Sequence, residues 1–443
     1  MRIKKAVVLL LMGILLVALV ACDGGSDSAN EGENQPTRDV ETSGNDTTDG
    51  QTLTIWAWDP NYNIIALETA KEIFLRDNPD VHIEIVTMAR NDLEQSLSVN
   101  LASGTAVGLP DIVLVEHLNA EQYIMSFPGA FEPLNQAVDF SNFAAPVDFM
   151  TVDGNTYGLP FGLATAGMFF RRDYFEAAGF NMADLTDITW DEFIDIGLAV
   201  QAETGLNILT QDPGDGGLLR MMMQSAGVWF FDDDGQVDVE DNEIFREVLE
   251  QYYRLMNSGI VQVAAGWSDF VGAFNGGEVA TVPTGVWIIP SIMAEESHYG
   301  LWQMAPMPRL NHPQSRNATK LGGSSWFVLS SSDHTDLALD FLAQTFAGSV
   351  ELYDTLLADY GISSMFVPAF ESPAYTAEIG FFANQEVYAD VSAWSLDVLG
   401  VNYGMFTWEV DNVMMNALPA FLSSGDVDEA LSTIQRLAEQ QIQ

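Results

Sequence analysis

The chain has 443 residues, 48% of them hydrophobic, with 16 Lys and Arg against 63 Asp and Glu, a formal charge of −47 and a single cysteine. That length allows a large core in one or two domains, and the charge argues against nucleic acid or anionic lipid surfaces as partners. One cysteine excludes an intrachain disulfide and a thiolate metal cluster. The acids are spread along the whole chain, so the charge reads first as solubility or high-salt adaptation, and only second as a preference for cationic ligands.

Arg2, Lys4 and Lys5 precede an apolar run over residues 6–20, too short for a comfortable membrane span. The run ends in Leu19-Val20-Ala21-Cys22, which resembles a bacterial lipobox. Residues 1–21 are therefore expected to be a lipoprotein signal peptide. Cys22 would carry the lipid and hold the mature chain outside the cytoplasmic membrane. Residues 22–51 are acidic and polar, cannot bury enough surface to fold, and should act as a tether with a reach of about 30 Å.

Folded chain begins with a predicted strand over 53–58, a helix over 63–77 stopped by Asn78-Pro79, and a strand over 81–88. Asn91-Asp92-Leu93-Glu94 has the form of a capping box for the next helix. Residues 111–115 then read as a buried parallel strand. Strand–helix alternation of this kind is an α/β signature. Asp153 to Asp173 is oddly punctuated. Pro160 cannot donate to a sheet ladder and Gly162 has no side chain to pack, so the stretch should leave one body and enter another.

A second α/β body is expected after it. Thr189-Trp190-Asp191-Glu192 is a capping box for a helix to about residue 204, and Met221-Met222-Met223 lies in a helix with a core face and a surface face. Helices are predicted over 241–256 and 268–274, and strands over 208–210, 279–282, 302–307 and 327–329. Two more turn-rich apolar junctions fall at 282–287 and 321–326. The tail is helical over 336–346, 349–357, 385–398, 409–422 and 427–440. Three junctions between two bodies predict a two-lobed clamp.

The order of these segments resembles the extracellular solute-binding proteins of ABC importers, the group that includes maltose-binding protein. The resemblance is carried by LTIWAWD, NPDVHIEI, ASGTAVGLPDIVLVE, DGNTYGLPFGLATAGMFFRRDYFEAAGF followed by TWDEF, FNGGEVATVPTGVW, and APMPRL leading to GGSSWFVLSS. It implies an α/β fold of the periplasmic-binding-protein type, with two Rossmann-like lobes, three crossing segments and a helical C-terminal tail. Lobe 1 is expected from 52–160 plus 288–322, and lobe 2 from 161–287 plus 323–443. The implied function is capture of a solute, most often a mono- or oligosaccharide, and delivery to permease subunits, by a monomer that needs no cofactor.

In open α/β sheets ligands sit beyond the carboxyl ends of strands. Trp58 and Asp59 end the first strand and Glu116 ends the third. Phe161, Trp287 and Trp326 sit in the three junctions, Trp229 and Trp267 in loops of the second body, and Trp394 in the tail. Flat aromatics cover the C–H faces of a sugar while carboxylates and amides bind its hydroxyl rim. These nine residues are the candidate ligand contacts. Trp56 and Trp190 read as core, Arg171 and Arg172 as partners of nearby acids, and Trp408 as a rim residue. A cationic or amine solute held by Asp59, Glu116 and aromatics is the alternative. A glycan-cleaving enzyme is the outsider, since paired carboxylates occur in glycosidases. No Walker A, G-x-S-x-G, H-E-x-x-H or G-x-G-x-x-G motif is present, and the five histidines have no metal-ligand spacing.

Overall fold

Three parallel strands open the fold: β1 (Thr52–Ala57), β2 (His82–Thr87) and β3 (Ile112–Glu116), with β1 in the middle. The computed structural model describes residues 51–442 except 61, 145, 163 and 233; the expected signal peptide, Cys22 and nearly all of the expected tether lie outside the described residues. Helix α1 (Asn63–Leu75) joins β1 to β2 and buries Ala66, Leu67, Ala70 and Phe74 at helical spacing. Helix α2 (Arg90–Ser103) joins β2 to β3, and α3 (His117–Ser126) follows β3 with no intervening loop. Helix α2 begins too early for the capping box expected at 91–94. The helix starts at Arg90 behind Ala89, without a side-chain cap, and Glu94 instead accepts from Asn119 at 3.1 Å. The box at Thr189 does form, with both reciprocal bonds present.

Strand Ser324–Val328 extends the first sheet beyond β3, antiparallel to it, and Gly158–Phe161 closes that edge. The second sheet is built around Thr165–Arg171. Thr281–Gly285 pairs with this strand on one side, while Trp302–Pro306 and Thr319–Lys320 pair with it too, all antiparallel. A separate parallel pair, Leu209–Gln211 and Val261–Val263, flanks this body.

These pairings correct the expected lobe boundaries. Trp302–Pro306 and Thr319–Lys320, assigned to lobe 1, belong to the second sheet, whereas Ser324–Val328, assigned to lobe 2, belongs to the first. Helices Thr335–Gln344 and Val350–Tyr360, also assigned to lobe 2, pack on the first sheet and on α1. The chain passes between sheets at 162–164 and again at 321–323. Residues 282–287 make no such passage, because the chain continues from one neighbour of Thr165–Arg171 to another. The remaining passage lies between Val367–Ala369, packed on Val350–Tyr360, and Gly380–Phe382, packed on Trp302–Pro306. A turn-rich strand end looks alike whether the next strand joins the same sheet or the other one.

The tail helices Thr407–Ser424 and Val427–Gln441 pack on each other and on Glu243–Met256. Met221, Met222 and Met223 are all buried, which corrects the expected surface face. Their helix, Gly217–Ser225, is covered by Glu243–Met256 on one side and by Thr319–Lys320 on another. Arg171 and Arg172 pair with Asp173 and Glu176.

Candidate functional site

The carboxyl ends of β1, β3 and Gly158–Phe161 lie along one edge of the first sheet, since all three strands point the same way. That edge carries the candidate site. Beyond β1, Trp58 is half-buried and Asp59 is exposed, with a left-handed φ of 59°. The Asp59 carbonyl accepts from the amides of Tyr62 and Ile64, which holds that strained turn in place. Beyond β3 stands Glu116. Beyond Gly158–Phe161, Gly162 has φ 73°, and a Cβ there would stand 2.8 Å from the Tyr62 hydroxyl. Only glycine lets the chain cross so close to α1.

Two adjoining hollows, about 300 and 480 Å³, share Trp58, Arg90, Glu116 and Trp287. The smaller also has Asp59, Tyr62 and Asn63 on its wall, with Phe161 and Gly162 at its floor. The larger is completed from the second body by Arg220, Gln224, Trp229 and Lys320, and from the tail by Tyr403 and Trp408. Together they form one cleft with aromatic walls and a rim of charged and amide groups.

The charges are mostly matched in pairs. Glu116 meets Arg90 at 3.0 Å. Burial raises the Glu116 carboxyl above its usual range, against the opposing pull of Arg90. Arg220 stands 3.5 Å from both Asp215 and Asp411 and lies over the Trp408 ring. Burial raises Asp411, again opposed by its arginine. Lys320 differs. It is 7% exposed, its Nζ is 3.4 Å from His117 Nδ1, and it faces the rings of Phe149 and Tyr403 at 5.0 and 5.3 Å. Burial pushes its amine down to about 7. Burial, and then Lys320, hold His117 well below the ordinary imidazole value, and its Nε2 meets the Ser325 hydroxyl at 2.9 Å. Gly323 lies against this imidazole with φ 116°, and a Cβ there would clash with its Nδ1.

Six of the nine expected contacts meet at the cleft: Trp58, Asp59, Glu116, Phe161, Trp229 and Trp287. Phe161 offers only an edge, being 1% exposed and packed against Trp326 and Phe346. Trp229 is fastened by a 2.6 Å bond from its indole N–H to Thr407 Oγ1. Trp267 lines neither hollow but stands beside Trp287, ring centroids 5.9 Å apart, and is 55% exposed. Trp326 is a correction. It is fully buried between Phe161 and Phe346, because Ser324–Val328 is an inner strand of the first sheet and is covered on both faces from Ser325 to Val328. Trp394 is a second correction. It lies half-buried on helix Val387–Ser395, against the core and away from both hollows.

Sequence reasoning missed Arg90, Arg220 and Lys320. A signal for them existed: in a chain with 16 basic residues, each cation is a scarce group whose position asks for a reason. A further hollow of about 690 Å³ lies on the other side of Trp229, with Glu121, Asp148, Asp232 and Asp238 on its wall. It holds no strand end of the first sheet. Among the described residues, no group of three His, Cys, Asp or Glu is placed to hold a metal ion.

Residues 69–383 match the family model of the bacterial extracellular solute-binding proteins. The lactose-binding protein of Rhizobium radiobacter is 40% identical over 392 residues, covering 88% of this chain and 93% of that protein. An arabinooligosaccharide-binding protein of Bacillus subtilis (strain 168) is 25% identical over 345 residues, covering 76% and 74%. Among solved structures, the sugar-binding protein MalE of Xanthomonas citri superposes with a TM-score of 0.75 at 20% identity, over 88% of this chain and 98% of that one. The galacto-N-biose/lacto-N-biose I-binding protein of Bifidobacterium longum gives 0.70 at 18% identity, over 89% and 97%. These two likenesses speak to the fold, which is the two-lobed periplasmic-binding-protein type.

Proposed function

We propose that this chain, which belongs to the bacterial extracellular solute-binding protein family, captures a mono- or oligosaccharide in the cleft and delivers it to an ABC permease. The observation that carries this reading is the pairing, in one cleft, of indoles from both bodies (Trp58 and Trp287) with the Glu116–Arg90 pair. The indoles suit the apolar faces of a pyranose, and the charged pair suits its hydroxyls. The 40% likeness to a lactose-binding protein supports a galactose-containing disaccharide as the first ligand to try. Contacts from both bodies make closure a population shift driven by the sugar. The closed form is then the one read by the permease.

A cationic solute is the poorer reading, because Arg90, Arg220 and Lys320 all line the cleft. We read the chain as a binder rather than a catalyst, acting as a monomer outside the cytoplasmic membrane and anchored through a lipid on Cys22. Replacing Cys22 with serine should release it from the membrane fraction. Calorimetry against lactose, arabinooligosaccharides, maltose, mannitol and a polyamine tests the main reading. Tight binding of one sugar, with no product on incubation, is expected. Binding of the polyamine alone would overturn it, and released monosaccharide would revive the enzyme.

A further inference from the structure

Lys320 is a buried cleft cation with no carboxylate beside it among the described residues. We propose that Lys320 reads the bound sugar: its ammonium donates to sugar oxygens at the inner wall, so that binding draws a proton onto this side chain. The inference rests on the carbohydrate reading above and adds one determinant of ligand choice to it.

The geometry supplies the argument. An ammonium has three donors. One points toward His117 Nδ1 at 3.4 Å, a long contact. While Lys320 is an ammonium, Nδ1 can only accept from it, so in that state Nε2 carries the ring proton and donates to Ser325 Oγ at 2.9 Å. The faces of Phe149 and Tyr403, at 5.0 and 5.3 Å, attract a cation but accept no strong hydrogen bond. Among the described residues, no carboxylate lies within ion-pair distance of Nζ. A nine-tenths buried cation is normally paired. This one instead borders a hollow of about 480 Å³.

The groups around it do not supply the missing partner. His117 comes from α3 and Tyr403 from the tail, and burial keeps both neutral. Arg220 comes from Gly217–Ser225, the helix packed on the Thr319–Lys320 strand, and is held by Asp215 and Asp411. Glu116 lines the same hollow and is held by Arg90. Arg171, at the far end of the paired strand, is held by Asp173. The acceptors that complete the ammonium therefore come from whatever occupies the hollow. A sugar presents ring and hydroxyl oxygens that do this without adding charge. They favour the protonated form, so proton uptake accompanies binding where the free amine is partly neutral. Burial places that amine at about 7. Uptake is thus expected above neutral pH and fades below it, where the side chain is already charged. Affinity should fall as pH rises through the same window.

The test is calorimetry with lactose as the probe, in phosphate and in Tris, at about pH 6 and about pH 8. The two buffers differ in ionisation enthalpy, so a difference in observed heat counts protons. The expected result is uptake of a sizeable fraction of a proton at the higher pH and almost none at the lower. Lys320→Met should abolish the uptake and weaken binding roughly tenfold, the scale of a lost charged hydrogen bond. Lys320→Arg, which does not titrate, should bind without uptake. Equal heats in both buffers at the higher pH would overturn the proposal on the unaltered protein, whatever the variants do. So would a Lys320→Met protein that keeps its affinity. Failure of the unaltered protein to bind lactose or any sugar of the panel strikes the carbohydrate reading itself, and this inference with it.

Discussion

Trp408 donates its indole N–H to the side-chain oxygen of Asn119 at 2.7 Å. Trp408 opens the tail helix Thr407–Ser424, and Asn119 lies in the first turn of α3 behind β3. The bond therefore ties the tail, packed on the second body, to the first sheet's edge. The Gly404 amide makes a parallel tie to Glu121 at 3.0 Å.

Asn119→Ala should loosen that tie with little loss of folding. A donor left without its partner costs about 1–3 kcal/mol when buried, and less at this part-buried site. The expected outcome is a several-fold weaker sugar affinity, with most of the change in the dissociation rate. Stopped-flow tryptophan fluorescence reads that rate directly. An unchanged rate would show that the bond does not bias closure.

Trp287→Ala and Trp326→Ala should part company. Trp287 is 40% exposed on the cleft wall, and its indole N–H donates to the Leu321 carbonyl at 3.2 Å. Its removal should weaken binding by about 2 kcal/mol or more, roughly thirtyfold in Kd, while the thermal midpoint barely moves. Trp326 is wholly buried, and its removal should cost about 3–5 kcal/mol of stability. Calorimetric titration together with thermal melts separates the two.

Stability should carry a signature of Lys320 above neutral pH. Its amine sits at about 7 in the folded chain and at the ordinary lysine value, about 10.4, in the unfolded one. Between those values the unfolded chain binds the extra proton, so this group makes stability rise with pH, by at most about 1.4 kcal/mol per pH unit. Below about pH 7 both states are charged and the slope vanishes. Lys320→Met should remove it. Denaturant midpoints at several pH values for both proteins check the sign, and a parallel pair of curves would refute it.

Gly323→Ala should be far more harmful than an ordinary surface substitution. The new methyl group meets the His117 imidazole, and φ 116° is a region that L side chains rarely adopt. A loss of more than about 1 kcal/mol is expected. Adding His117→Ala should restore only the steric share. Full rescue in the double variant would show that the backbone angle is tolerated.

Much of the fold was legible before any coordinates. Leu53 and Ile55 on β1, the Ala66–Phe74 stripe on α1, and the unbroken apolar run of β3 announce parallel α/β units, because local periodicity reports which face is buried. Strand ends likewise pointed to Trp58, Asp59 and Glu116, since ligands gather where parallel strands stop. Pairing partners were another matter. Periodicity says that Trp302–Pro306 and Ser324–Val328 are strands, but not that the first joins Thr165–Arg171 and the second joins β3. Trp326 illustrates the same limit: periodicity does not say that Ser324–Val328 is covered on both faces, and long-range packing against Phe161 and Phe346 buries the ring. The cleft's cations stood out only as scarce residues, and their meeting was not readable, for a related reason. Arg90, Arg220 and Lys320 are 130 and 100 positions apart in the chain, and only the tertiary fold brings them to one hollow. Sequence by itself determined most of the elements and the family likeness, and it pointed to the strand-end side of the candidate cleft, because these rest on local pattern. Tertiary structure decided which strands pair, which indoles face the cleft and which cation has no carboxylate beside it among the described residues, because these rest on contacts between distant residues.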